Sequence, residues 1–390
     1  MTKQTCQVVV IGAGPAGLVV ARDLARSGRE VVVLEEHERI GYPVHCTGLI
    51  GLQAFEELDL SSESVRAVVS SAAFRLNDGA PLVIRNERLR AAVIDRGAFD
   101  GRLGEHARAA GAELRTGARV QRVHASPAGV AVHTQGGNAI HARAVVLACG
   151  ANYRFNRALG LGVPRAYLQT AQIEVTQRLA DHVAVYFGSH VAPRGFGWVV
   201  PFERGGVAQS RLGLMCRDRV ATRFGVFRAR IAESAHASTV DWPEPRMRLL
   251  PLGPVARTFA TRVLAVGDAA GLVKPTTGGG IYYSLLTGAM AARVLNERLD
   301  DDRLLAGDLQ PYEEMWRDRL GAEIRIGLAF RTLATRLPDR AIHALIELAR
   351  VDGLVPLLNE HADFNWHRGA ALALLRNPSF RRIVLHHLWT

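Results

Sequence analysis

The sequence predicts an α/β protein in which a Rossmann-like nucleotide-binding domain is interleaved with a mixed β-sheet domain and followed by C-terminal helices. Three observations predict it. Residues 6–34 read as strand, glycine turn, helix and strand. Residues 165–215 change to alternating or β-rich stretches. From about residue 281 nearly every segment carries a helical pattern.

The elements follow in order. Cys6 to Ile11 is an apolar run bounded by Gly12, the pattern of a buried parallel strand. A helix is expected from about Pro15 to Ser27, stopped by Gly28, and a second buried strand runs from Glu30 to Leu34. Residues 94–111 read as helix, with Phe99, Leu103 and Ala107 at four-residue spacing and Gly111 as the stop. Short strands fill 112–148, with turns at Pro127-Ala128-Gly129 and Gly136-Gly137. Leu168 to Val175, Val183 to Phe187, Trp198 to Val200 and Val207 to Leu214 predict a mixed or antiparallel sheet. A helix at about 216–236 carries Val220, Phe224, Phe227 and Ile231 on one stripe, flanked by Arg217, Arg219, Arg223, Arg228 and Arg230. That pattern suits docking on a sheet, an interfacial helix for anionic lipid, or a clamp for a diphosphate head. Val263 to Val266 is another buried strand. The terminal helices are expected to break at Pro311, Pro338, Gly353, Pro356 and Pro378.

Composition bounds the function. The 390 residues are 48% hydrophobic and 22% charged, which fits a folded protein too long for a single core of about 100–200 residues. Net charge is +11, 46 of the 48 basic residues are arginine, and the surplus lies within residues 101–300. A basic tail is excluded. An acidic partner, an anionic membrane surface or plain solubility stay open. Aromatics are 6% and not interleaved with the arginines, which argues against nucleic acid. Four scattered cysteines, Cys6, Cys46, Cys149 and Cys216, make neither a disulfide framework nor a zinc site, so no metal is expected and a reducing cytoplasm is. No run of about 18 apolar residues exists, so any membrane contact would be peripheral.

Gly12-Ala13-Gly14-Pro15-Ala16-Gly17 is G-x-G-x-x-G between a strand and a helix. Its glycines allow a tight turn and close approach to a pyrophosphate, which the helix N-terminus attracts. Glu35, 18 residues past Gly17, stands where a carboxylate accepts from ribose hydroxyls. FAD and NAD share this fingerprint. A second half-site far downstream favours the longer FAD: a buried strand ends in Gly267-Asp268, and Gly278-Gly279-Gly280 opens another helix.

Four stretches carry a resemblance: the fingerprint, Gly41 to Leu49 with Cys46 within it, Phe196 to Pro201, and Gly267-Asp268 through Gly280. Together they resemble the geranylgeranyl reductase family of flavoproteins, within the para-hydroxybenzoate-hydroxylase-like superfamily. The resemblance spans about residues 6–300.

It implies an FAD-binding domain over 1–60, 85–150 and 251–300, a substrate domain over 61–84 and 151–250, and a helical region over 301–390. It implies FAD contacts at Gly12, Gly14, Ala16, Gly17, Glu35, Cys46, Arg96, Gly267, Asp268, Gly279, Gly280 and Ile281. It implies a cysteine facing the flavin at Cys46, with His45, Tyr282 and Tyr283 as further proton-donor candidates. Phe196, Trp198 and Pro201 match a Tyr-x-Trp-x-Phe-Pro motif lining the substrate cavity, with Phe196 replacing tyrosine and Val200 replacing phenylalanine. The reaction implied is hydrogenation of prenyl carbon–carbon double bonds. Cys149 replaces an aspartate common in the wider superfamily, so both NADPH and a ferredoxin-type carrier remain as electron sources. Two other readings are a flavin monooxygenase or halogenase, and a non-catalytic lipid- or quinone-binding electron-transfer flavoprotein. An NAD-binding protein without flavin would be colourless.

Overall fold

The apolar runs near residues 6–11, 30–34 and 144–148 become neighbouring parallel strands in the computed structural model. The structure describes residues 4–76, 79–137, 139–235, 237, 241–351 and 354–389. The chain forms two units.

The first unit comprises Met1–Val44, Arg96–Ala166 and Pro251–Ile324. Its sheet runs Phe259–Ala260, Val263–Ala265, Ala139–Leu147, Gln4–Ile11, Val31–Leu34, Glu113–Arg115. Gln4–Ile11 pairs in parallel with both Ala139–Leu147 and Val31–Leu34. Val8, Val9 and Val10 are wholly buried, as a strand covered on both faces requires. The hairpin Val120–Ser126 and Gly129–Thr134 adds antiparallel strands to Ala139–Leu147. Helices Pro15–Arg26, Arg96–Ala109 and Ile281–Leu299 belong to this unit. A β-carbon on Gly288 would lie 2.6 Å from the Ala16 carbonyl oxygen, so the first and last of these helices meet where only glycine fits.

Pro311 does not break a helix: it lies within Ala306–Trp316. It stands in the second turn, where it removes one backbone donor. Buried tertiary contacts hold the segment, including Tyr312, whose hydroxyl donates to the Ala265 carbonyl at 2.8 Å, and Trp316, whose Nε1 donates to Thr258 Oγ1 at 2.9 Å. A π-helical turn over Arg317–Gly321 then leads into Ala322–Ala334. Pro356 also lies inside a helix, in the first turn of Leu354–His361, where proline is tolerated. Pro338 and Pro378 do stand at helix starts, and Gly353 lies outside the described residues.

The second unit comprises His45–Asp95, Tyr167–Leu250 and Arg325–Thr390. Its seven-stranded sheet runs Arg246–Leu252, Ala166–Val175, Val207–Cys216, Phe196–Arg204, Val183–Phe187, Ser71–Leu76, Leu82–Arg85. It is mixed because Ser71–Leu76 pairs in parallel with Val183–Phe187. A three-stranded sheet joins Leu49–Gly51, Ala91–Ile94 and Val65–Val69.

Helix Val220–Ser234 packs on the large sheet, and its stripe Val220, Phe224, Phe227 and Ile231 is buried in one core with Val199, Leu212 and Leu214. That stripe is therefore consumed by the sheet and is not an interfacial face. Phe227 meets the Tyr186 ring edge-on at 5.2 Å. Phe227→Ala is expected to cost about 3–5 kcal/mol, read as a lowered denaturant midpoint; an unchanged midpoint would contradict this packing. No helix among the described residues is long and apolar enough to cross a membrane.

Candidate cofactor site and substrate face

The first unit places its fingerprint at the carboxyl end of Gln4–Ile11, where open α/β sheets bind ligands. Gly12 adopts a left-handed φ of 105°, and a β-carbon there would strike the Ala148 carbonyl. One on Gly17 would strike the Gly12 carbonyl. Gly14 differs, because nothing lies within 4 Å of its β-carbon position. The turn is thus packed tightly on its protein side and open at its middle glycine. Glu35 Oε2 accepts from the Ala13 amide at 2.8 Å, and Oε1 accepts from the His37 amide at 3.0 Å. His37 Nδ1 also meets Oε1, at 2.5 Å, so the carboxylate is pinned beside the turn with acceptor capacity left on Oε2.

The downstream half converges on the same sheet end. Gly267 brings a β-carbon position within 3.3 Å of Ala16 Cβ. Asp268 Oδ1 lies 2.8 Å from the β-carbon position of Gly280, so glycine is required there. Gly279 and Gly280 lead into helix Ile281–Leu299, whose Ser284 amide donates to the Gly280 carbonyl at 2.8 Å. Burial pushes the Asp268 carboxyl up to about 6, opposed by the Arg96 guanidinium, which lowers it. Among the described residues no donor reaches that carboxylate. A desolvated acid left without a donor suits a ligand hydroxyl. Arg96 is itself paired with buried Asp100 at 2.7 Å. Tyr282 and Tyr283 are buried on the same helix, and desolvation raises the Tyr283 phenol.

Several bracing residues here went unread in the sequence. The Tyr153 hydroxyl donates to the Asp268 carbonyl at 2.6 Å, and buried Asn156 Nδ2 donates to the Ala269 carbonyl at 2.9 Å. The Gly267 amide donates to Thr287 Oγ1 at 3.1 Å. Lys274, one of two lysines, is buried beside Gly279. Tyr153 and Asn156 lie more than 110 residues from their partners, and none of the four follows a motif.

The second unit holds Cys46, His45, Phe196, Trp198 and Pro201. Strand alternation puts Phe196, Trp198, Val200 and Phe202 on one face and Gly197, Val199 and Pro201 on the face carrying helix Val220–Ser234. On the first face Phe74, Phe187, Phe196 and Trp198 form a row, with successive centroids 6.3, 6.2 and 5.9 Å apart. Gly213 allows this, since a side chain there would strike the Trp198 indole. The Cys46-Thr47-Gly48 turn stands on the same face. Thr47 Oγ1 donates to Gln172 Oε1 at 3.0 Å, and the Thr47 carbonyl accepts from Arg211 Nη1 at 2.7 Å. The Gly48 amide points at Cys46 Sγ, 3.4 Å away. Cys46 is half-buried and His45 is exposed. Cys6 and Cys149 are different thiols, both pushed up to about 12 chiefly by burial.

The parallel sheet, the glycine cradle and the donor-free acid define a dinucleotide-binding oxidoreductase whose residues fit FAD. A family model described as "Lycopene cyclase protein" matches residues 7–341. The digeranylgeranylglycerophospholipid reductase 2 of Methanothermobacter thermautotrophicus is 31% identical over 87% of this chain and 90% of that protein. A geranylgeranyl bacteriochlorophyll reductase-like structure from Thermoplasma acidophilum aligns over 99% of both chains with a TM-score of 0.84 and 22% identity. A mutant halogenase in complex with FAD aligns over 98% of this chain and 90% of that one, with a TM-score of 0.70 and 14% identity. The chain belongs to the geranylgeranyl reductase family of FAD-dependent oxidoreductases.

Proposed function

We propose that the protein hydrogenates carbon–carbon double bonds of a geranylgeranyl-type lipid. The observation that supports this reading most is the face shared by the aromatic row Phe74, Phe187, Phe196 and Trp198 and the Cys46 turn. An isolated alkene has no polar handle, so its site needs an apolar wall and a proton source in place of an oxyanion hole. The row supplies the wall, and the methyl-rich prenyl chain suits the partly accessible rings of Phe74, Phe187 and Phe196.

Gly12, Gly14, Ala16 and Gly17 would hold the pyrophosphate of FAD, Glu35 its ribose, and Asp268 its polyol chain. Arg96, Gly267, Gly279, Gly280 and Ile281 would complete the cradle. When bound and reduced, FAD supplies the hydride. Cys46 Sγ, held by the Gly48 amide, delivers the proton that completes the addition. Tyr282 and His45 are the other candidates for that proton. NADPH or a ferredoxin-type carrier supplies the electrons.

Two measurements test this. The reduced holoprotein, offered geranylgeranyl phospholipid, is expected to give products two hydrogens heavier per double bond by mass spectrometry. A hydroxylated or halogenated product would instead point to the monooxygenase or halogenase reading. Cys46→Ala, with FAD retained, is expected to slow saturation about 100-fold, the usual scale for losing a general acid. Unchanged turnover would remove Cys46 and leave Tyr282 or His45.

A further inference from the structure

We propose that Arg211 is a positioning residue that fixes the direction of the Cys46 thiol. Only the catalytic half of its test rests on the role given to Cys46 above.

Arg211 is 0% exposed, on strand Val207–Cys216, at a position where an apolar side chain would be the cheaper occupant. Its guanidinium is divided among tasks that converge on one turn. Nη1 donates to the Thr47 carbonyl at 2.7 Å and to the Ile94 carbonyl at 2.9 Å. Nε donates to Glu174 Oε2 at 3.0 Å. The guanidinium carbon lies 4.5 Å over the Phe202 ring. Nη2 is buried with no hydrogen-bond partner. That orphan nitrogen costs stability, so the two carbonyls gripped by Nη1 have to carry the case for the residue.

The carbonyl that Arg211 grips belongs to the residue directly after Cys46. Gly48 adopts φ 70°, and a β-carbon there would lie 2.6 Å from Arg211 Nη1. The turn therefore rests directly on the guanidinium. Gln172 holds the Thr47 hydroxyl, and the Ile94 amide donates to the Gly48 carbonyl at 2.8 Å. Arg211 is the one charged member of this set. It is held in turn by a chain of ions: Glu174 pairs with Arg204 at 2.6 Å, Arg204 with Asp95 at 3.3 Å, and Asp95 with Arg66 at 3.7 Å. Glu174 uses separate oxygens for its two arginines, which keeps Nε engaged and stops the fork rotating off Thr47. Lysine cannot reproduce this, because a single ammonium lacks the planar fork.

The test uses holoprotein variants Arg211→Met, Arg211→Lys and Glu174→Gln, with two readouts. The first is the iodoacetamide alkylation rate of Cys46, followed peptide by peptide by mass spectrometry. The second is kcat and KM for lipid saturation. Arg211→Met is expected to raise Cys46 alkylation about fivefold or more, and to lower kcat about tenfold with KM within about threefold, because small misplacements cost rate rather than binding. Arg211→Lys and Glu174→Gln are expected to fall between it and wild type on both readouts, and they decide the matter if the methionine variant does not fold. Folded variants whose alkylation rate and kcat stay within about twofold of wild type overturn the proposal. So does a loss carried by KM with alkylation unmoved, since that is generic damage. The alkylation readout needs no substrate, so failure of the wild type to saturate any lipid would sink the proposed function while leaving this test intact.

Discussion

Asp268→Asn is expected to bind FAD about tenfold more weakly than wild type while making the FAD-free protein more stable above pH 6. Both effects come from one desolvated carboxylate. Losing the charge exchanges a charge-assisted hydrogen bond to a ligand hydroxyl for a neutral one, a difference of about 1.4 kcal/mol. Burial raises the folded-state acid from 3.8 to about 6, so the folded state holds its proton more tightly than the unfolded chain. The penalty is absent below about pH 4, grows as pH rises towards 6 and stays constant above it. The shift corresponds to about 1–3 kcal/mol at pH 8, the lower end allowing for the partial solvent access of Asp268. Thermal unfolding of FAD-free protein at pH 4 and pH 8 checks the stability arm, and flavin fluorescence titration checks the binding arm. A variant no more stable than wild type at pH 8, or one with undiminished FAD affinity, would show that Asp268 is not reserved for the cofactor.

Gly288→Val is expected to have the largest structural effect, a destabilisation of about 3 kcal/mol or failure to accumulate as soluble protein. The β-carbon alone would press to 2.6 Å from the Ala16 carbonyl, and neither rigid helix can retreat without disturbing the fingerprint turn. Gly14→Ala is the control. Its β-carbon meets no protein atom within 4 Å, so stability should hold while FAD affinity falls. Equal stability losses in the two variants would refute this division between packing glycines and a ligand-facing one.

These cases indicate what the sequence could and could not convey. The Gly12 to Gly17 turn was legible because its geometry is local: strand, turn and helix are contiguous, and each glycine answers to backbone crowding. Gly267-Asp268 was legible for the same reason. The residues that brace these turns were not. Tyr153 and Asn156 reach a turn more than 110 residues away, and Arg211 reaches Thr47 across 164. Nothing in the spacing of Ser210-Arg211-Leu212 separates a buried guanidinium from a solvated one. Leu49–Gly51 is too short to show a period, so the three-stranded sheet went unread. Pro311 misled because intrinsic propensity is a weak force beside the burial of Tyr312 and Trp316.

The interleaving of the two units governs how the chain is made as well as how it works. Gln4–Ile11 emerges first, yet its partner Ala139–Leu147 is more than 120 residues later, and the flanking Val263–Ala265 follows more than 110 after that. Neither unit can close during the first half of synthesis. Long loops must be brought together late, which places this protein among slow folders with high contact order. For much of that time Val145–Leu147, the part of Ala139–Leu147 that awaits Val263–Ala265, presents an unpaired apolar edge, and a nascent chain in that state is a natural client for a holding chaperone.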